Sequence, residues 1–199
     1  MKKALFVSIT VLALDQVVKL WFKTHWMLGQ ETEVFPWFIL HFTENRGMAF
    51  GMEFGGDWGK LALSLFRIVA VGGLGWFTWK QAQKGAGTMA MVSLGLVMAG
   101  ALGNIIDSLF YGMLFSDSYG QVAQFLPPDG GYAPFLYGRV VDMLHFPLVD
   151  GHFPDWLPFW GGERYLFFRP VFNVADAAIT VGIALILVFE RELLTTLES

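Results

Sequence analysis

The chain has no cysteine among its 199 residues. That removes disulfides, thiolate nucleophiles and thiolate metal ligands in one step, and it leaves the redox compartment open. Charge is also scarce, at 15% of residues against about 25% in soluble domains. The net charge of -4 comes with no basic cluster dense enough to follow a phosphate backbone, so nucleic acid is not an expected partner. No HExxH, which would hold zinc, and no GxSxG, which would present a serine nucleophile, occurs anywhere. The N-terminal MKKALFVSITVLAL begins like a signal peptide, but no small-x-small site follows its apolar run, so it reads as a retained anchor.

What is present is apolar. Hydrophobic residues make up 55% of the chain and aromatics 17%, which marks an integral membrane protein of mainly α class. Apolar runs at about 4–22, 58–79, 88–111 and 171–189 are each close to the ~20 residues a bilayer needs. They predict four transmembrane helices within a single membrane-embedded domain spanning 1–199. Residues 24–57, with Pro36 and alternating runs such as VFPWFILHF, predict a small β-rich cradle outside the membrane. Residues 112–170 predict a long extracytoplasmic loop. Trp26, Trp37 and Trp58 are expected at the interface. The lysines of the short segments (Lys2, Lys3, Lys80, Lys84) place both termini on the cytoplasmic side.

Polar residues inside such a chain need a reason. Asp15 and Lys19 sit four apart in the first span and read as a structural ion pair. Arg67 in the second span is expected to snorkel or to pair with a buried acid. In the third span Asn104 and Asp107 are three apart on one face, as are Asn173 and Asp176 in FNVADAAITVG. At about 1.5 Å per residue, the first pair lies roughly 24 Å above the start of its span and the second within about 8 Å of the outer start of the fourth. Both therefore share one depth near the outer face. Asp142, in VVDML, and Asn45 lie in the two excursions on that side, and His145 reads as an interfacial histidine.

Two close carboxylates share a proton, and such a pair hydrolyses a peptide without a covalent intermediate. A packing network, a divalent ion held by Asp107, Asp142 and Asp176, and a small proton-coupled transporter use the same acids and stay open at this point. The absence of recognisable inverted repeats weighs against the transporter.

Five blocks, DQVVK at 15–19, ENRGMAFG at 44–51, GALGNIID at 100–107, VVDML at 140–144 and FNVADAAITVG at 172–182, together resemble the lipoprotein signal peptidase (signal peptidase II) family. The resemblance implies an aspartic endopeptidase of the bacterial inner membrane, with Asp142 and Asp176 as the catalytic pair near the extracytoplasmic face. Asn45, Gly47, Asn104, Asp107 and Asn173 match positions that line or support the family's site. The implied substrate is a prolipoprotein carrying diacylglyceryl-cysteine, cut on the amino side of that cysteine. No cofactor or metal is implied, membrane lipids are the surroundings, and a monomer is expected. Two departures stand out. Ser108 occupies the place where the family carries arginine, and residues 110–138 separate blocks that are normally close. Arg139, three residues before Asp142, is the expected substitute for the missing charge.

Overall fold

Two lysines, then an apolar run free of glycine and proline, form the first helix, α1 (Lys2–His25). It stops at Trp26, whose extended backbone still donates its N–H to Phe22 O, 2.9 Å away. The computed structural model describes residues 1–46, 56–147, 149–167 and 171–189. Gly47, Arg169 and the tail from 190 onwards lie outside the described residues.

After α1 comes an antiparallel hairpin, β1 (Glu31–Phe35) and β2 (Phe38–Asn45), turning at Pro36 and Trp37. The second helix, α2 (Gly56–Gln83), and the third, α3 (Thr88–Ile106), follow. From α3 the chain continues through a π-helical turn (Asp107–Tyr111) into a short α4 (Gly112–Leu114). Strand β3 (Val140–His145) then enters the sheet, β4 (Val149–His152) and β5 (Arg164–Phe167) make a separate hairpin, and β6 (Val171–Phe172) leads into α5 (Val174–Phe189). The four-stranded sheet has the order β1-β2-β3-β6, antiparallel throughout.

Among the described residues, three helices are long and apolar enough to cross a membrane: Lys2–His25, Gly56–Gln83 and Thr88–Leu114. The fourth expected span corresponds to α5, which is apolar but has 16 described residues. The third helix is the centre of the bundle, with 56% of its span buried against 22% for the first and 11% for the second. It packs on α1, α2 and α5 through small residues. A Cβ added at Gly100 would lie 2.1 Å from Ala175 O, and one at Gly103 2.5 Å from Asp15 Oδ2. Both glycines therefore set how near α5 and α1 approach.

The cradle is only half built from residues 24–57: β1 and β2 come from there, whereas β3 comes from the expected loop and β6 from the expected start of the fourth span, because β2 pairs with β3 and β3 with β6. Its inner face closes on Phe22, Phe42, Tyr111, Phe115, Val141 and Met143, a core built by α1, the sheet and the 107–139 region together. Trp26 joins this core at 8% exposure, whereas Trp37 and Trp58 are exposed. The interfacial role expected of Trp26 is thus corrected: packing against Phe22 claims its ring.

Candidate active site

The site begins at the N-terminus of α5. Helix starts favour a side-chain oxygen that accepts a free backbone N–H, and Asn173 supplies one: its Oδ1 accepts from Asp176 N at 2.9 Å. Asn173 is fully buried, and its amide Nδ2 turns the other way, 2.6 Å from Asp142 Oδ1 and 3.1 Å from both Val141 O and Asn104 Oδ1. One residue thus caps the helix that carries Asp176 and grips the strand that carries Asp142.

Asp142 stands in β3 at 2% exposure, opposite Thr43 of β2. Asn45, two residues further along β2, donates its Nδ2 to the other Asp142 oxygen. Burial, and then the charge of Asp176, hold the Asp142 carboxyl well above the ordinary carboxylate range. Asp176 lies in the first turn of α5, where the helix dipole favours negative charge. Its Oδ1 accepts from Asn104 Nδ2 at 2.7 Å. The two carboxylates are therefore linked through Asn173 and Asn104, each amide holding one acid. Asn45, Asn104, Asn173, Asp142 and Asp176, expected from four separate stretches, do come together here.

Asp107 belongs beneath this group. Lys19 Nζ lies 2.8 Å from Asp107 Oδ2 and 2.9 Å from Asp15 Oδ2, all three side chains being buried. Lys19 also donates to Asn104 Oδ1 at 3.0 Å. Gln16 donates to Asp107 Oδ1, 3.1 Å, and Val141 N to Asp107 Oδ2, 3.3 Å. Asp107 is fully engaged in holding α1 and β3, so it does not face the pair as a third open carboxylate. Asp15 reaches further than the expected ion pair, because its Oδ1 accepts from Ala175 N at 2.9 Å. It thereby satisfies a second free N–H of the first turn of α5.

The π-helical turn at Asp107–Tyr111 lies at this junction, and such widened turns occur often at functional sites. The carbonyls of Ser108 and Leu109 accept from Gly138 at 2.9 Å and Leu136 at 3.3 Å. The end of the long insertion is pinned there immediately before β3.

Arg139 is not the substitute for the missing arginine at Ser108. Its guanidinium turns onto Glu44 (3.3 Å) and Asp117 (3.2 Å) and stacks over Tyr132, 4.7 Å from the ring centre. Those acids attract it to the opposite side of β3. The cations at Ser108 come instead from α2: Lys60 Nζ is 3.2 Å and Arg67 Nη1 3.4 Å from its Oγ. Sequence reasoning missed Lys60, although Lys60, Ser64 and Arg67 recur at helical spacing on one face of α2. Lys23 was missed too. It continues the Asp15, Lys19 stripe by four residues and is fully buried against Glu44 and Ser118. His145 stays outside the site, half-buried, with its ring 6.3 Å from that of His41. Burial and then His41 lower its pKa.

A bundle of apolar helices roofed by a small sheet, with the buried Asp142 and the half-buried Asp176 linked through asparagines at their junction, fits a membrane-embedded enzyme. A solved structure titled "Bacterial membrane enzyme structure by the in meso method at 1.9 A resolution" superposes with a TM-score of 0.62 at 25% identity, covering 94% of this chain and 92% of that one. Residues 7–190 match the family described as Signal peptidase (SPase) II. A lipoprotein signal peptidase of Porphyromonas gingivalis is 55% identical over 181 residues, 90% of this chain and 79% of that one. Another, from Amoebophilus asiaticus, is 36% identical over 189 residues, 93% and 76% of the two chains. The chain belongs to the signal peptidase II family, and is accordingly a membrane-embedded protease.

Proposed function

We propose that the protein is an aspartic endopeptidase that removes signal peptides from prolipoproteins, with Asp142 and Asp176 as its catalytic pair. The observation that carries this reading is the asymmetric setting of the two acids, Asp142 buried in β3 and Asp176 half-buried in the first turn of α5. Asp142 is buried beside Asp176, and burial and that charge keep it above the ordinary carboxylate range against the donors Asn45 and Asn173, so it bears the shared proton. Asp176 sits at a helix N-terminus with one amide donor, so it bears the charge. A pair whose environments push its members apart divides acid and base roles between them.

In the reaction, Asp176 takes a proton from water while Asp142 gives its proton to the scissile carbonyl oxygen. The water oxygen bonds to the carbonyl carbon, forming a neutral tetrahedral diol. One hydroxyl proton then returns to Asp142 as the carbon–nitrogen bond breaks, and Asp176 passes its proton to the leaving nitrogen. The products are the signal peptide's new carboxyl end and the free amine of the lipidated cysteine. Both acids finish as they began.

The family's prolipoprotein substrates support this reading, and the motif resemblance further implies a diacylglyceryl-cysteine in the substrate, cut on the amino side of that cysteine. The same resemblance implies a place in the bacterial inner membrane, with the site near the extracytoplasmic face. Asn104 and Asn173 orient the acids, while Asp15, Lys19 and Asp107 brace the first turn of α5 and the start of β3. Incubating the purified protein with a diacylglyceryl lipopeptide and reading the fragments by mass spectrometry tests the assignment. One cut, immediately before the lipidated cysteine, is expected; no cut, or a cut elsewhere, would remove it.

A further inference from the structure

The segment 112–138 has its polar and apolar residues the wrong way round for a loop in water. Its charges are few: between Gly112 and Gly138 only Asp117 and Asp129 carry any. Asp117 turns to Arg139 at 3.2 Å, and Ser118, fully buried, sits on Glu44 and Lys23. The large apolar side chains are left outside, Phe125 at 56% exposure, Leu126 at 62% and Phe135 at 46%. Leu126 even holds φ at +51°, in the left-handed region that an L side chain adopts only at a cost, and still presents its side chain outward.

This segment is fastened to the end of a membrane span. Leu126 N donates to Leu114 O at 2.7 Å, Tyr132 N to Phe115 O at 3.0 Å and Ala133 N to Gly112 O at 3.0 Å. Gly131 lies so close that a Cβ there would be 2.1 Å from Gly112 O. Phe135 rests on Phe110, with ring centres 5.8 Å apart, and Phe125 on Phe115 at 5.3 Å. Phe110 and Met113, three apart near the end of the span Thr88–Leu114, are themselves exposed, so the lipid-facing surface of the helix runs on from Phe110 onto Phe135. At its other end the segment bridges Val122 to Met27, just past α1.

The length of the span fixes the level. Its 27 residues rise about 40 Å, at about 1.5 Å each, against ~30 Å of hydrocarbon. Lys3 Nζ, on Thr88 Oγ1 at 2.5 Å, marks the polar border at the start. Leu109 and the residues after it therefore stand at or past the far hydrocarbon edge, in the headgroup layer. There water still reaches irregular backbone, while apolar side chains can dip into the acyl chains.

We propose that residues 122–135 form a lipid-docking surface, with Phe125, Leu126 and Phe135 seated among the glycerol and upper acyl groups of the leaflet at the Leu114 end of the span. An apolar patch of this kind marks a partner. Lipid is that partner because the patch continues the lipid-facing surface of the helix and stands at the level of the leaflet border. Ser118 and Asp117 meanwhile keep the polar side of the segment on Glu44, Lys23 and Arg139. The docking depends on the membrane embedding alone, not on which acids are catalytic.

Single cysteines report on it cleanly, since the native chain has none. Leu126→Cys, Phe135→Cys and, as the water-side control, Tyr119→Cys are labelled with an environment-sensitive fluorophore in the full-length protein and placed in phosphatidylcholine vesicles. Lipid carrying a nitroxide high on the acyl chain should quench the probes at Leu126 and Phe135 several-fold more than the probe at Tyr119, and their emission should lie to the blue of it. Aqueous iodide should do the reverse. Iodide quenching at Leu126 and Phe135 equal to that at Tyr119 would overturn the proposal. So would a blue shift that the nitroxide lipid leaves untouched and that disappears below one chain per vesicle, because contact between two copies produces that pattern. If Leu126→Cys fails to fold, Phe125→Cys replaces it and the same outcomes decide.

Discussion

At the scale of single residues, the burial of Asp142 costs stability at neutral pH. Its carboxyl keeps a proton to higher pH in the folded protein than in the unfolded chain, where the ordinary value is about 3.9. Between those two values the native state binds more protons, so stability falls as pH rises through that window. Asp142→Asn has nothing to ionise. It should melt above the parent at pH 7, and the difference should vanish below about pH 4, as thermal unfolding at a series of pH values will check. Asp15 matters through its contacts instead. Its charge answers Lys19 and it accepts from Ala175 N, so Asp15→Asn should lower the melting temperature by leaving a buried lysine less compensated. Because Ala175 adjoins Asp176, that variant should also lose part of its kcat, which a purely structural pair would not cause.

At the scale of elements, the 110–138 insertion is a brace. Ser118 donates to Glu44 at 2.9 Å, Lys23 pairs with the same acid, and Arg139 ties Glu44 to Asp117. Asn45, next to Glu44, and Asp142, three residues after Arg139, are thereby held at fixed register. Glu44→Gln should cost about 3–5 kcal/mol, since it strands the buried Lys23. Arg139→Gln removes a 29% exposed side chain, and should cost about 1 kcal/mol or less while leaving kcat near the parent's. Chemical denaturation paired with turnover distinguishes the two. Much of the candidate site was legible beforehand, because Asn104, Asn173 and Asp176 are polar residues in expected apolar spans and Asp142 stands in the VVDML block. The brace was not. Glu44, Asp117 and Ser118 lie in excursions where polar residues are ordinary, and only the fold reveals that they are paired. Lys60 and Lys23 were readable as helical stripes, but their partners lie across the bundle, beyond the reach of spacing. Arg139 misled because nearness in sequence to Asp142 says nothing of the face to which a strand residue turns.

At the scale of the whole molecule, the three long apolar helices, the short α5 and the sheet bring Asp142 and Asp176, the proposed catalytic pair, to the junction of roof and bundle. If both termini face the cytoplasm, the 84–87 link and the insertion lie on opposite sides of the membrane. The native chain has no cysteine, so single ones report cleanly. Tyr119, at 78% exposure, is a better reporter than the fully buried Ser118. Cysteine at Tyr119 should react with an impermeant reagent from outside only, and cysteine at Lys84 from inside only; labelling of both from one side would contradict this orientation. Everything in the proposed chemistry converges on one requirement, that the two acids work as a unit. Lipopeptide cleavage by the parent, Asp142→Asn, Asp176→Asn and the double variant, each with and without a strong chelator, measures it most directly. Each single variant should lose at least about a thousandfold in turnover, the double should be no worse than either, and the parent should be indifferent to chelation. Near-parent turnover in either single variant, or activity abolished by chelation and restored by zinc or magnesium, would contradict it.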